Sequence, residues 1–155
     1  MIEKTCCFSG HRTIPEDERA ELESRLEAVA RTLIDEGFVY FGTGGAVGFD
    51  ALAARVILRL KDEYEHIRLI VVRPCKDQAA HWDVRDREEH EWICSRADKV
   101  VSLFDTYRKG CMQVRNRHLV DHSTVCVCYQ VSDEGGTAYT VGYARKKGVH
   151  IVNIG

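Results

Sequence analysis

Apolar runs of strand length alternate with helix-period segments along the whole chain, and this alternation constrains the fold more than any single motif. TCCFSG, FVYFG, IRLIVVR, KVVSLF, TVCVCYQ and VHIVNI are short runs, mostly rich in β-branched and aromatic residues. Between them, apolar residues recur every three to four positions. In the clearest such segment, residues 13–37, Leu22, Leu26, Val29, Ala30, Leu33 and Ile34 form one stripe. Thr13 and Glu16 have capping-box spacing, Pro15 suits a first turn and Gly37 a stop, so the helix is expected to begin there. Further helices are predicted over 49–61, over 83–97 with Trp92 and Ile93 as apolar anchors, over 111–123 and over 135–148. IRLIVVR is apolar on both faces, as a strand covered by helices on both sides must be. Six strands joined by five helices with right-handed crossovers predict a doubly wound, mainly parallel α/β sheet of the Rossmann-like kind. With no repeat, low-complexity tract or linker in 155 residues, a single domain over 1–155 is expected.

Charge and cysteine usage narrow the function classes. Lys plus Arg number 22 and Asp plus Glu 24, a formal net charge of −2, and no basic block interrupts the mixture. Nucleic acid is therefore not expected as a partner, since phosphate neutralisation needs a basic surface. A small phosphorylated ligand needs only a local cradle. No apolar run has the length of a membrane span, and MIEKTCCFSG lacks the layout of a signal peptide, so a cytoplasmic protein with no membrane association is expected. Seven cysteines are an odd number, and neither CxxC nor a zinc-type His/Cys spacing occurs. Reduced core thiols are the expectation, with Cys6 and Cys7 on opposite faces of one strand and Cys126 and Cys128 on a shared face. Cys75 and Cys111, in predicted loops, are the only candidates for exposed thiol chemistry. His81, His90, His118 and His122 are too scattered for a metal site.

In such sheets the ligand crevice lies beyond the carboxyl ends of the strands. Unusual residues collect there: SGHR after the first strand, GTGGAVGFD after the second, PCKDQAAHW after the third, DTYRKG after the fourth, SDEGGT after the fifth. The opposite ends carry plain helix stops such as IDEG and ARKKG. The second of these turns contains Gly42, Thr43, Gly44, Gly45 and Gly48 and leads into a helix, so its amides and the helix dipole can face an anion. It is no P-loop, because no Gly-Lys-Ser/Thr follows, and Val47 stands where a strict GxGxxG has its third glycine. A tight turn packed closely against the protein itself is the competing reading. Asp50 can complement the helix dipole or accept a sugar hydroxyl. Gly135, Gly136 and Thr137 form a second glycine turn, at which Thr137 can cap the helix or donate to phosphate. Gly10, His11 and Arg12 end the first strand with an anion-binding pair. Pro74, a candidate ligand contact, opens the turn after the third strand, in which Gln78 and Trp82 can form a lid, although Trp82 can equally pack on the sheet edge. Arg115 and Asn116 can reach a phosphate, the alternative being a surface ion pair with Asp121.

SGHR, GTGGAVGFDALAA, PCKDQAAHW, RNRHLVD and GGTAYTVGYARKKG, in that order and over nearly the whole chain, resemble the YpsA family of the SLOG superfamily, which includes the Smf/DprA DNA-processing proteins and the LOG phosphoribohydrolases. The resemblance implies a Rossmann-like fold that binds a nucleotide or nucleotide-derived ligand. The phosphoribohydrolases carry an arginine before the fifth strand and a PGGxGTxxE motif whose glutamate helps to cleave the N-glycosidic bond. Arg115 stands at the arginine's place, whereas in EGGTAYT the glutamate's place is taken by Thr140, whose hydroxyl can neither act as a base near neutral pH nor stabilise an oxocarbenium ion. The expectation is a binding protein, a sensor or regulator, for a nucleotide, ADP-ribose or an NAD-derived ribosyl-phosphate. The alternative is a hydrolase of N-glycosidic or phosphate-ester bonds that uses Asp50 or Glu134. A DNA-processing accessory is a third class, disfavoured by charge. On the resemblance alone a homodimer is expected.

Overall fold

A computed structural model describes residues 2–155. Its elements are β1 (Thr5–Gly10), α1 (Arg19–Asp35), β2 (Tyr40–Thr43), α2 (Phe49–Leu60), β3 (Arg68–Cys75), α3 (Val84–Arg96), β4 (Lys99–Phe104), α4 (Cys111–Asp121), β5 (Val125–Tyr129), α5 (Gly136–Lys146) and β6 (His150–Asn153). The strands form one sheet in the order β4-β3-β2-β1-β5-β6, and every pair is parallel. β1 therefore sits inside the sheet, with Cys7 opposite Gly42 on one side and Cys126 on the other. The chain winds outward from β1 to β4, then returns to β1 and continues through β5 to β6. The reversal falls between β1 and β5, where crossover connections leave by opposite faces and open a crevice at the carboxyl ends.

Two apolar layers cover the sheet. One holds Leu22, Leu26, Phe41, Phe49, Leu52 and Ile57 of α1, α2 and the strand face beneath them. The other holds Val72, Leu119, Val120, Val141 and Ala144, where α4 and α5 pack. Strand alternation separates Cys6, in the first layer, from Cys7, Cys126 and Cys128, in the second. Cys75 and Cys111 are not loop thiols: they end β3 and begin α4, and both are buried. Burial pushes the Cys75 thiol up to about 11, which removes the nucleophilic thiolate.

Two local expectations need correction. Thr13 and Glu16 form no capping box. Instead a single 3-10 turn, Glu16–Glu18, precedes α1, and no side chain caps either helix start. In α3 the inward residues are His90 and Ile93, while Trp92 lies outward between the guanidinium groups of Arg55 and Arg96, each 5.1 Å from its ring centroid. The indole is held by cations at the surface rather than by the core. On α4, Met112 is exposed, while Cys111, Arg115, Leu119 and Val120 are buried. The sheet is also unevenly covered. All five residues of β5 are buried, and none of the six in β4 is.

The turns after β1 and β2 lock together. Phe49, fully buried at the start of α2, packs against Phe8 and Tyr129 and donates its backbone N–H to the His11 carbonyl at 3.1 Å. Gly48, at φ +81°, passes so close to Arg12 that a Cβ would lie 2.2 Å from its carbonyl oxygen. Backbone cannot yield there as a flexible side chain would. Gly48→Ala is therefore expected to cost about 3 kcal/mol or more in urea unfolding. A loss below about 1 kcal/mol would show that the two turns are not packed in this way.

Candidate functional site

The reversal point holds a crevice of about 240 Å³. Gly10, His11 and Arg12 of the β1 end, Ala46 and Asp50 around the start of α2, Gln78 and Trp82 after β3, Arg115 and Asn116 of α4, and Gly136 and Thr137 of α5 all line it. Ten of the residues singled out in the sequence thus converge from five separate segments: Gly10, His11, Arg12, Asp50, Gln78, Trp82, Arg115, Asn116, Gly136 and Thr137. Gly42, Thr43, Gly44, Gly45, Gly48, Pro74, Glu134 and Gly135 are not among the lining residues. Pro74 is buried within β3, and Glu134 is exposed on the β5–α5 turn with its N–H on the Ser132 hydroxyl.

The first glycine turn is folded upon itself. The Asp50 carboxylate, 7% exposed, accepts the Ala46 N–H at 3.2 Å and is further stabilised by the Gly44 amide. Thr43 donates its hydroxyl to the Asp50 carbonyl, and His90 Nδ1–H bonds the Gly45 carbonyl at 3.0 Å. The Gly44 carbonyl accepts from both the Arg115 guanidinium and Gln78 Nε2. Two of the amides expected to face an external anion, those of Gly44 and Ala46, are therefore engaged by the chain's own carboxylate. The density of glycine here answers to protein–protein packing. At Gly44 a Cβ would lie 2.6 Å from Arg115.

Arg115 is correspondingly no surface ion-pair partner of Asp121. It is 5% exposed, bonded to Gly44 and, through Nε, to Asn116 Oδ1 at 2.7 Å. Asp121 instead accepts from the Tyr143 hydroxyl. Burial lowers the Arg115 pKa and pushes that of Asp50 up to about 6, while each charge stabilises the other. His90 is held neutral chiefly by burial, with the Arg73 charge adding to it.

The second glycine turn is different. Gly135 caps α5 with no side-chain hydrogen bond, and no atom lies within 4 Å of the position a Cβ would take on Gly136. Thr137 is a buried residue of the first turn, not the cap. Thr140 donates its hydroxyl to the Gly136 carbonyl at 2.9 Å, so it is occupied within its own helix. Across the crevice His11 Nε2 accepts the Val131 N–H at 2.9 Å, which requires a neutral ring with its proton on Nδ1. Residues that sequence reasoning missed are Phe8, Ser9, Ala46, Met112, Gln113 and Tyr139, all lining the same space. Tyr139 lies three residues after Gly136 on the helix, a spacing that could have marked it.

Residues 15–151 match the YpsA model, described as the YspA SLOG family, and the chain belongs to that family. It is similar to the SPbeta prophage-derived protein YoqJ of Bacillus subtilis, 30% identical over 139 residues and 81% of each chain. It is also 30% identical over 129 residues to UPF0398 protein BH1768 of Halalkalibacterium halodurans, covering 81% of this chain and 68% of that one. Two solved structures share the fold. DNA processing protein A of Streptococcus pneumoniae superposes with a TM-score of 0.72 at 16% identity over 96% of this chain. The same protein from Helicobacter pylori, described for its single-stranded DNA binding mode, gives 0.69 at 17% identity over 95%. This chain spans 49% and 63% of those two proteins, respectively. The expectation that excluded nucleic acid is overturned here. A fold of this kind carries a single-stranded DNA binding mode in the Helicobacter protein, so a net charge of −2 does not rule such a partner out.

The Asp50 carboxyl gives the crevice a pH signature. Its folded pKa of about 6 lies above the ordinary 3.8, so between those values the unfolded chain ionises while the folded chain keeps its proton. The stability contributed by this group is complete at acid pH and is lost as pH rises through about 6. The loss amounts to about 3 kcal/mol. In urea titrations the wild type minus Asp50→Asn difference is expected to fall by about that much between about pH 3 and pH 7. A flat difference would show an ordinary carboxylate, and one of opposite slope a carboxylate stabilised in its charged form.

Proposed function

We propose that the crevice binds a nucleotide unit through its phosphate and sugar, and that the protein acts as a sensor or regulator in the cytoplasm rather than as a hydrolase. The observation that carries this reading is the open, uncapped start of α5 facing the crevice at Gly136. Unbonded amides and the positive helix end favour phosphate there. Arg12, exposed on the facing turn, supplies a charge-assisted bond. Asp50 and Asn116 receive sugar hydroxyls. A space of about 240 Å³ is below the roughly 300–1,000 Å³ of a typical ligand pocket, so the base lies at the mouth, beside Trp82 or Tyr139. With Thr140 bonded to its own helix and Glu134 outside the lining, Asp50 is the one carboxylate among the lining residues, and it is tied to the turn that it closes. That arrangement favours binding over bond cleavage. All seven cysteines are free, in keeping with a reducing compartment. Among the described residues no helix is long and apolar enough to cross a membrane.

The nucleotide unit has two sources: a free metabolite such as AMP, ADP-ribose or NAD, or one residue of single-stranded DNA, as the Helicobacter relative in fold suggests. Calorimetric titration with each, at two salt concentrations, separates them. A metabolite binds with weak salt dependence, whereas an oligonucleotide binds with a steep one. Gly136→Ala is expected to keep or raise stability by up to about 1 kcal/mol, because alanine suits a helix better. The same methyl group intrudes on the phosphate position, and affinity is expected to fall about tenfold or more. No binding of any of these ligands at millimolar concentration, or an unaffected Gly136→Ala variant, would defeat the proposal. Release of free base from AMP would transfer the site to the hydrolase class.

A further inference from the structure

Strand β4 is the edge of the sheet beyond β3, and its coverage is out of keeping with its composition. Val100, Val101, Leu103 and Phe104 make it largely apolar, yet Val100 is 36% exposed and none of the six residues is buried. Lys99 and Val101 look onto the groove beneath α4 with Ile70 and Val72. By alternation, Val100, Ser102 and Phe104 look the other way. The outer row of backbone N–H and C=O groups faces no strand. An edge of this kind is a template for another strand.

We propose that β4 seats a second copy of this chain, paired antiparallel across a two-fold axis at Ser102 to join the two sheets into one. A two-fold axis normal to the sheet places residues of the same face opposite each other, which restricts the centre to a few positions. Centred on Ser102, the pairs are Val100 with Phe104, Val101 with Leu103, Ser102 with itself, and Lys99 with Asp105. Every apolar residue meets an apolar one, and each terminal charge meets its opposite. Centring on Val101 instead sets Lys99 against Leu103 and Phe104 against Asp98, and centring on Leu103 sets Val101 against Asp105. Only the Ser102 register matches on both faces. Asp105 is free to join it: its contact with Lys76, at 3.1 Å, is between side chains 86% and 65% exposed and holds it weakly. The occupant is a second copy because the strand complements itself in both apolarity and charge.

The test is sedimentation equilibrium of the full chain, independent of any ligand. The wild type is expected to dimerise. Lys99→Asp and Asp105→Lys each place like charges at both ends of the pairing and are expected to weaken the dimer about tenfold or more, and the double variant to restore it. Ser102→Cys is expected to form a disulfide-linked dimer under an added oxidant where wild type does not, since directly opposed residues bring their Cα atoms to about 4.5–5.5 Å, within the range that a disulfide spans. A monomeric wild type, a dimer indifferent to the single reversals, or a double variant as weak as its parents would each overturn the proposal. The nucleotide reading would be untouched.

Discussion

A guanidinium removed from water must find acceptors, and Arg115 finds one in the Gly44 carbonyl, with the Asp50 carboxylate close enough to steady its charge. This contact joins α4 to the β2–α2 turn. It explains why that turn is glycine-rich, since a side chain on Gly44 would occupy the place of the guanidinium. It also explains why Asp50 reaches back to the Ala46 amide. Asp50, in turn, carries a raised pKa because burial outweighs the help of Arg115 and of the turn's amides. Removing either charge would leave the other buried and poorly compensated, so the pair fixes the floor of the crevice before any ligand arrives.

That arrangement divides the two glycine turns. They are alike in sequence and both precede helices, but one already holds an anion, Asp50, while the other opens on the crevice. The consequence for phosphate is directional. An incoming phosphate near Asp50 meets a like charge, whereas one at Gly136 meets unbonded amides and the positive end of α5. Arg12 lies on the side of the crevice that completes such a site. In the proposed binding mode the sugar then falls toward Asp50, where a hydroxyl is welcome and a phosphate is not.

Most of the fold could be read from the sequence, because strand and helix periodicities are properties of the pattern itself. IRLIVVR had to be covered on both faces, and Cys6 and Cys7 had to part company. The crevice was legible for a related reason, as the turns that line it fall at one end of every strand. What could not be read was which polar group satisfies which. Nothing local to Arg115 says that it turns inward to Gly44 rather than outward to Asp121. Trp92 looks like an anchor until Arg55, distant in sequence, and Arg96, one helical turn on, are seen to flank it. The Thr13–Glu16 spacing promised a cap, but the chain spends those residues reaching the 3-10 turn. Net charge misled because it averages over a surface, whereas a phosphate responds to the field within a few ångströms.

The same local field sets the strength of the site. A helix N-terminus contributes about 0.3–1 kcal/mol to an anion, and a hydrogen bond to a charged group about 1.5–3 kcal/mol. Arg12 and the α5 amides together therefore offer a few kcal/mol, no more than the lower part of the roughly 4–15 kcal/mol lost when a molecule is immobilised. Arg115 adds less than its charge suggests, since two of its five N–H groups are committed to Gly44 and Asn116. Phosphate alone does not hold a ligand here, and sugar and base contacts must supply the remainder. A ligand held by several modest contacts in a half-filled crevice leaves as its concentration falls. That is what the proposed sensor, or a transient strand contact, requires.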